Sequence, residues 1–167
     1  MQTIREILKQ KGNHIYSVTP DTTVYEALKL MADKNVGAVL VLVDNNLFGI
    51  MSERDYARKV VLKSRFSNEV LVKEIMSAEI FCVDIDQPIA VTEAIMTQKR
   101  IRHLPVIEKN KLVGIVSIGD VVKASMDNKT FLIDQLITYI KGAPVIKQEV
   151  GSPIKYVQIE DGKVDLP

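Results

Sequence analysis

The stretch VLVDNNLFGIMSERD, Val41 to Asp55, recurs 65 residues later as VIEKNKLVGIVSIGD, Val106 to Asp120. Each copy reads as two apolar runs around a polar turn, followed by Ser-x-x-Asp. That order describes a β-hairpin whose second strand feeds directly into a capped helix. Asn45 and Asn110 fall at the turn, where Asn tolerates the positive φ of a tight connection. Extended outward, the same shift lays Ile15 to Lys59 over Ile80 to Ala124 without a gap, and twelve of the 45 positions are identical. An internal repeat of this density decides the architecture before any single element does.

Upstream of each hairpin the period changes in the same order. A short apolar strand (Ile15 to Val18, Ile80 to Val83) precedes a turn rich in Asp, Pro and Thr. An amphipathic helix follows, with Val24, Ala27, Leu28 and Met31 at helical spacing in the first copy and Ile89, Thr92, Ile95 and Met96 in the second. A second match sets Ile4 to Leu8 over Val72 to Met76, so each copy begins with a helix-like lead-in. The predicted unit is β-α-β-β-α, an α/β (α+β) fold in which two tandem copies pack face to face with pseudo-two-fold symmetry, because one copy alone leaves its sheet uncovered. The expected organisation is a first motif at 1–64, a linker at 65–71, a second motif at 72–126, a C-terminal helix at 127–142 and an extended tail at 143–167. In that helix, Asn128 to Lys141, the apolar face comprises Phe131, Leu132, Leu136, Ile137 and Ile140, with Gly142 as its stop. The tail contains one strand-like run, Ile154 to Ile159.

Composition narrows the function. In 167 residues, 22 Lys plus Arg stand against 21 Asp plus Glu, so no global field marks a binder of nucleic acid or anionic membrane. Any anion site must be local. Cys82 has no partner for an internal disulfide, and with only His14 and His103 beside it no metal constellation is expected. Cys82 falls in an apolar strand run and is expected to be a small buried hydrophobe. No segment approaches the ~20 apolar residues of a membrane span, and Met1 to Gly12 is unlike a signal peptide. The expected location is the cytoplasm, with no membrane partner.

The repeated Gly-φ-φ-Ser-x-x-Asp carries the chemistry. Ser52 with Asp55, and Ser117 with Asp120, read as capping boxes that satisfy orphan backbone N–H groups. The same carboxylates stand where a strand turns into a helix. There they could also accept hydrogen bonds from adjacent ribose hydroxyls, while exposed N–H groups favour phosphate oxygens.

The two units resemble CBS motifs, named after cystathionine β-synthase. Ser52 to Lys59 (SERDYARK), Arg102 to Val106 (RHLPV) and Gly114 to Asp120 (GIVSIGD) carry the resemblance, which covers about residues 1–142. It implies a tandem pair, or Bateman module, that usually dimerises into a flat disc of four motifs and has clefts for AMP, ATP, NAD or related adenosyl ligands. By position it makes Asp120 the ribose acceptor of a second cleft with Ser117 at the sugar or phosphate, and Asp55 with Ser52 their counterparts in a first. Arg102 and His103 are then a cationic phosphate clamp at one place only, since the first repeat has Gly37 and Ala38 there, and Arg54 and Arg58 compensate near Asp55. Arg102 as a solvated surface cation and His103 as a structural imidazole are the plainer alternatives. The first strand and the strand of Pro105 frame the purine in this family, which makes Val18, Thr19 and Ile101 candidate adenine surroundings, with ordinary core packing the competing reading. Pro105 lacks a backbone donor and suits an edge facing a cleft.

No nucleophile with a base, no GxxxxGK[ST] and no GxGxxG loop is present, so the chain is not expected to be an enzyme or to need a cofactor. The resemblance implies a regulatory module whose arrangement shifts on binding a nucleotide and is read by an unidentified partner protein. The competing reading is a constitutive dimeric scaffold with empty clefts. A homodimer is expected to bury the apolar faces of the Val24 to Met31 and Ile89 to Met96 helices, or the helices after Ser52 and Ser117.

Overall fold

Both hairpins close through two residues in the left-handed region: Asp44 and Asn45 at φ 48° and 63°, Lys109 and Asn110 at 48° and 61°. Two consecutive positive φ angles make a primed turn whose twist suits paired strands. The paired strands are β2 at Ala38–Val43 with β3 at Asn46–Ser52, and β5 at His103–Glu108 with β6 at Lys111–Ser117. In each hairpin one residue of the second strand, Phe48 or Val113, is bulged out of register. A two-residue strand joins each pair in parallel, β1 (Ser17–Val18) on β2 and β4 (Val83–Asp84) on β5. Two three-stranded sheets result, ordered β1-β2-β3 and β4-β5-β6.

The structure, a computed structural model, describes residues 2–141 and side chains as far as Ile137. Both sheets lie in a unit that ends at Phe131, and a second unit begins at Leu132. Helices α2 (Val24–Lys34) and α4 (Ile89–Lys99) bury their predicted faces, Val24, Ala27 and Met31 in one and Ile89, Thr92 and Met96 in the other. Leu28 and Ile95 are half-buried. Thr23 and Glu26 close a capping box at the start of α2. Those apolar faces are consumed inside the protomer, which removes them as dimer surfaces. Helix α3 (Glu53–Lys59) buries none of its residues, and Val122 and Met126 of α5 (Ile118–Lys141) are exposed.

The lead-ins cross over. Helix α1 (Ile4–Lys11) precedes the first repeat but packs Ile4, Ile7 and Leu8 into the core of the second, with Val83, Ile89, Leu104 and Val116. The 3₁₀ turn Val72–Glu74 precedes the second repeat and packs Val72 and Ile75 into the first core, with Val24, Met31, Val39 and Met51. Two of the identical pairs follow from this exchange. Gly49 and Gly114 lie under the crossing lead-ins, so that a Cβ at Gly49 would sit 2.5 Å from the Met76 sulfur and one at Gly114 would sit 2.9 Å from a Leu8 methyl. Asp21 and Asp86 receive the lead-in cations, Lys73 at 2.7 Å and Arg5 at 2.8 Å.

Three expectations are corrected. Cys82 is exposed, one residue ahead of β4, because that strand is only Val83–Asp84. The helix predicted at Asn128 to Lys141 does not start afresh; α5 runs unbroken over Ile118–Lys141, as no Gly or Pro lies between Gly119 and Gly142 to stop it. Its Phe131, Leu132, Leu136 and Ile137 are exposed. Third, Pro105 is not on an edge, since β5 is the central strand. Gly142 and the run Ile154 to Ile159 lie outside the described residues.

Candidate functional site

The crossover places two clefts where the repeats meet, related by the 65-residue shift. Cleft 1, about 460 Å³, combines Ser52, Arg54, Asp55 and Arg58 of the first repeat with Phe81, Ile101, Arg102, His103 and Pro105 of the second. Cleft 2, about 380 Å³, combines Ser117 and Asp120 of the second repeat with Lys11, His14, Tyr16, Asn35 and Val36 of the first. Gly37, His103 and Ser117 border both.

Each carboxylate is fixed by its cap. Ser52 donates to Asp55 Oδ2 from its backbone N at 3.0 Å and from Oγ at 2.7 Å, and Ser117 donates to Asp120 Oδ2 at 2.7 and 2.8 Å. The second oxygens differ. Asp55 Oδ1 takes the Lys59 ammonium at 2.9 Å, and that same ammonium donates to the Ile75 carbonyl at 2.6 Å. At Asp120 the cation, Lys11, joins the cap on Oδ2 at 2.6 Å, and among the described residues Oδ1 has no hydrogen bond. Burial would push the Asp120 carboxyl up; the Lys11 ammonium and the two Ser117 hydrogen bonds outweigh it and hold the group below the usual carboxylate range. His103 moves the other way from a cation's interest: burial first, then the neighbouring Arg102 charge, push its pKa down, against an opposing pull from Asp120.

The geometry regroups the predicted residues. Arg102 and His103 were assigned with Asp120 and Arg54 with Arg58 to the other cleft, but Arg54, Arg58, Arg102 and His103 all converge on cleft 1 with Asp55. The reason is the crossover, since each cleft takes its carboxylate from one repeat and the residues ahead of its hairpin strand from the other. Ile101 and Pro105 border cleft 1, whereas Val18 and Thr19 border neither cleft. Val18 packs on the first core, and the Thr19 hydroxyl is bonded to that of Thr22 at 3.0 Å. The rings nearest in sequence, Tyr16 and Phe81, border the clefts instead.

Pro105 has a specific effect. At the matching position of the first repeat the Leu40 N–H donates to the Tyr16 carbonyl at 3.1 Å. Proline has no N–H, so the Phe81 carbonyl loses the donor its counterpart has. Sequence reasoning missed Lys11, Tyr16 and Phe81. The signal for Lys11 was the lead-in match, since it lies three residues past the matched Ile4 to Leu8, in the last turn of a helix that had to pack somewhere. Among the described residues no cluster of His, Cys, Asp or Glu is arranged to hold a metal, and no helix is long and apolar enough to cross a membrane.

Comparison with known proteins agrees with this architecture. The CBS domain family matches at residues 4–62 and again at 72–127. The CBS domain-containing protein CBSX3, mitochondrial, of Arabidopsis thaliana is 38% identical over 149 residues, 84% of this chain and 72% of that protein. A putative signal-transduction protein with CBS domains from Burkholderia ambifaria superposes with a TM-score of 0.74 at 47% identity, over 75% of this chain and 95% of that one. The CBS domain pair of protein MJ0100, in complex with 5′-methylthioadenosine and S-adenosyl-L-methionine, has the same fold at 19% identity and a TM-score of 0.67, covering 77% of this chain and 98% of that one. Two matched motifs, two sheets of β-α-β-β-α order and two capped carboxylates in inter-repeat clefts place the chain in the CBS-domain family, as a tandem pair of regulatory rather than catalytic motifs.

Proposed function

We propose that this chain is an adenine-nucleotide sensor whose two clefts bind AMP, ATP or NAD and whose liganded arrangement is read by a partner protein. CBS modules in general bind adenine nucleotides and regulate partners. The observation that carries the reading for this chain is Asp120. Its Oδ2 is saturated by the Ser117 cap and Lys11, while Oδ1 is left unbonded among the described residues, beside a cavity of about 380 Å³. A helix cap needs one carboxylate oxygen, and a pair of ribose hydroxyls needs what remains. Lys11 and His14 stand at the same cleft to meet a phosphate. In cleft 1 the Phe81 carbonyl is an acceptor for the exocyclic amine of adenine, which guanine lacks at that position.

A ligand in either cleft touches both repeats, so it favours one relative arrangement by its differential affinity. The chain is proposed to work as a homodimer through α5 and the 3₁₀ turn Val61–Lys63 that follows α3, where Val61, Leu62, Val122 and Met126 are exposed. Isothermal titration with AMP, ATP, NAD and GMP tests the ligand class. Saturable heat with the adenine ligands and none with GMP is the expected result. No heat and no thermal shift with any of them would transfer the assignment to a dimeric scaffold with empty clefts. Sedimentation showing a concentration-independent monomer would remove the dimer.

A further inference from the structure

The sequence contains six arginines, and they divide sharply by partner. Arg5 is bonded to Asp86 and Glu108, and Arg65 to Glu74. Among the described residues the other four, Arg54, Arg58, Arg100 and Arg102, form no ion pair. All four gather at one place. Arg54, Arg58 and Arg102 border cleft 1, and Arg54, Arg100 and Arg102 border an adjoining recess of about 230 Å³ that shares Ile101 and Ile118 with it. Cleft 1 also has the acids Glu53, Asp55 and Glu79, whereas the recess has no acidic residue in its lining. Arg54 is held there by the Arg100 carbonyl at 2.9 Å.

The other cleft lacks this feature, although the two are built on one repeat. At the positions matching Arg54, Arg100 and Arg102 the sequence has Gly119, Asn35 and Gly37, and only Arg58 has a cationic counterpart, Lys123. The single cation shown at Asp120, Lys11, is already bonded to it. Unpaired guanidiniums crowded together repel one another, and a multiply charged anion relieves that repulsion through bidentate contacts.

We propose that cleft 1 is specific for a ligand with a di- or triphosphate chain, the nucleoside lying toward Asp55 and the chain running into the recess of Arg54, Arg100 and Arg102. Cleft 2 does not distinguish chain length. This deepens the nucleotide reading and rests on it. The two clefts thereby report different ligands, a triphosphate in one and a monophosphate or uncharged nucleoside in the other.

The test isolates each cleft. In an Asp120→Asn chain, calorimetry should give ATP an affinity at least about tenfold above that of AMP, falling as salt is raised. In an Asp55→Asn chain AMP and ATP should agree within about threefold. Arg100→Asn with Arg102→Gly copies the residues of the first repeat at the same positions, and Asn35 already occupies the left-handed backbone that Arg100 adopts, at φ 52° against 54°. That double variant should abolish the ATP preference, and Arg100→Asn by itself, at a residue that borders the recess and not cleft 1, should lower it while leaving AMP binding within about threefold. Equal affinities for AMP and ATP in the Asp120→Asn chain, or an equal loss of both in the Arg100→Asn variant, would overturn the proposal. If no adenosine ligand binds, inorganic tripolyphosphate separates the two ideas. Arginine-dependent binding of tripolyphosphate would keep the polyanion recess and discard the nucleoside; no binding would discard both. Binding of polyglutamate in place of tripolyphosphate would assign the arginines to an acidic protein and overturn the proposal.

Discussion

Asp120→Asn separates the two duties of one carboxylate. The cap needs an acceptor for the Ser117 backbone N–H and hydroxyl, which now reach Oδ2 at 2.7 and 2.8 Å, and an asparagine oxygen supplies one. What the fold loses is the partly exposed Lys11 pair, worth about 0–1 kcal/mol, and a negative charge in the first turn of α5, worth about 0.3–1 kcal/mol. The expected destabilisation is therefore about 0.3–2 kcal/mol. What the ligand loses is larger. A hydrogen bond to a charged acceptor contributes about 1.5–3 kcal/mol and one to a neutral acceptor about 0.5–1.5, so two ribose hydroxyls lose about 2–3 kcal/mol together. At 1.4 kcal/mol per decade this raises Kd for AMP by about 30- to 140-fold. The measurement is calorimetric titration in an Asp55→Asn background, so that only cleft 2 responds, with a urea melt confirming that the protein is folded. AMP binding within threefold of the background chain, accompanied by the expected loss of stability, would refute the reasoning and leave Asp120 as a helix cap alone.

Gly49→Ala should destabilise the fold by about 1–3 kcal/mol, since its Cβ meets the Met76 sulfur and lies 3.2 Å from the Ser77 carbonyl; a Gly49→Ala, Met76→Ala pair that recovers nothing in urea denaturation would place the strain elsewhere. Ile4→Ala empties a fully buried site in the second core and should cost about 2–5 kcal/mol by the same assay; a cost below about 1 kcal/mol would mean that α1 is not part of that core. For pH, His103 is held below its ordinary value, so on acidification the unfolded chain binds a proton that the fold resists. Its effect is a loss of stability as pH falls through about 6.5, with a slope below 1.4 kcal/mol per unit, and His103→Asn should flatten it in melts between pH 7.5 and 5.5. The Asp120 carboxylate acts in a lower window, contributing stability above about pH 3.8 and losing it as pH falls through its depressed value, so the two are separable.

The repeat, the hairpins and the buried faces of α2 and α4 were legible because each is a local pattern: alternation, helical spacing, Asn at a turn. Asp55 and Asp120 were legible as caps for the same reason, as Ser-x-x-Asp is complete within one turn. The crossover was not, because nothing local in Ile4 to Leu8 says which of two similar sheets it covers. That one long-range choice explains why Arg102, which belongs by sequence to the repeat of Asp120, faces the cleft of Asp55, while His103 borders both clefts. Cys82 was misread for a different reason. Its neighbours Phe81 and Val83 are apolar and both reach the second core, Phe81 while also bordering a cleft, but the strand begins one residue later and leaves Cys82 exposed.

The exchange of lead-ins has a thermodynamic consequence for sensing. Were each cleft built within one repeat, a nucleotide would stabilise that repeat and leave the other unaffected. Here the carboxylate of each cleft and the residues facing it come from different repeats, and Gly37, His103 and Ser117 are walls of both. Occupying cleft 1 with an anion stabilises a proton on His103, whose imidazole also faces Lys11 and Asp120 across cleft 2. Any free energy by which one ligand alters that wall must reappear as an equal change in affinity for the other. Coupling between the clefts is thus expected from their shared residues alone. Its sign follows from that proton: an anion in one cleft favours a charged His103, so an anion entering the other finds the charge already in place and binds more tightly than it would alone.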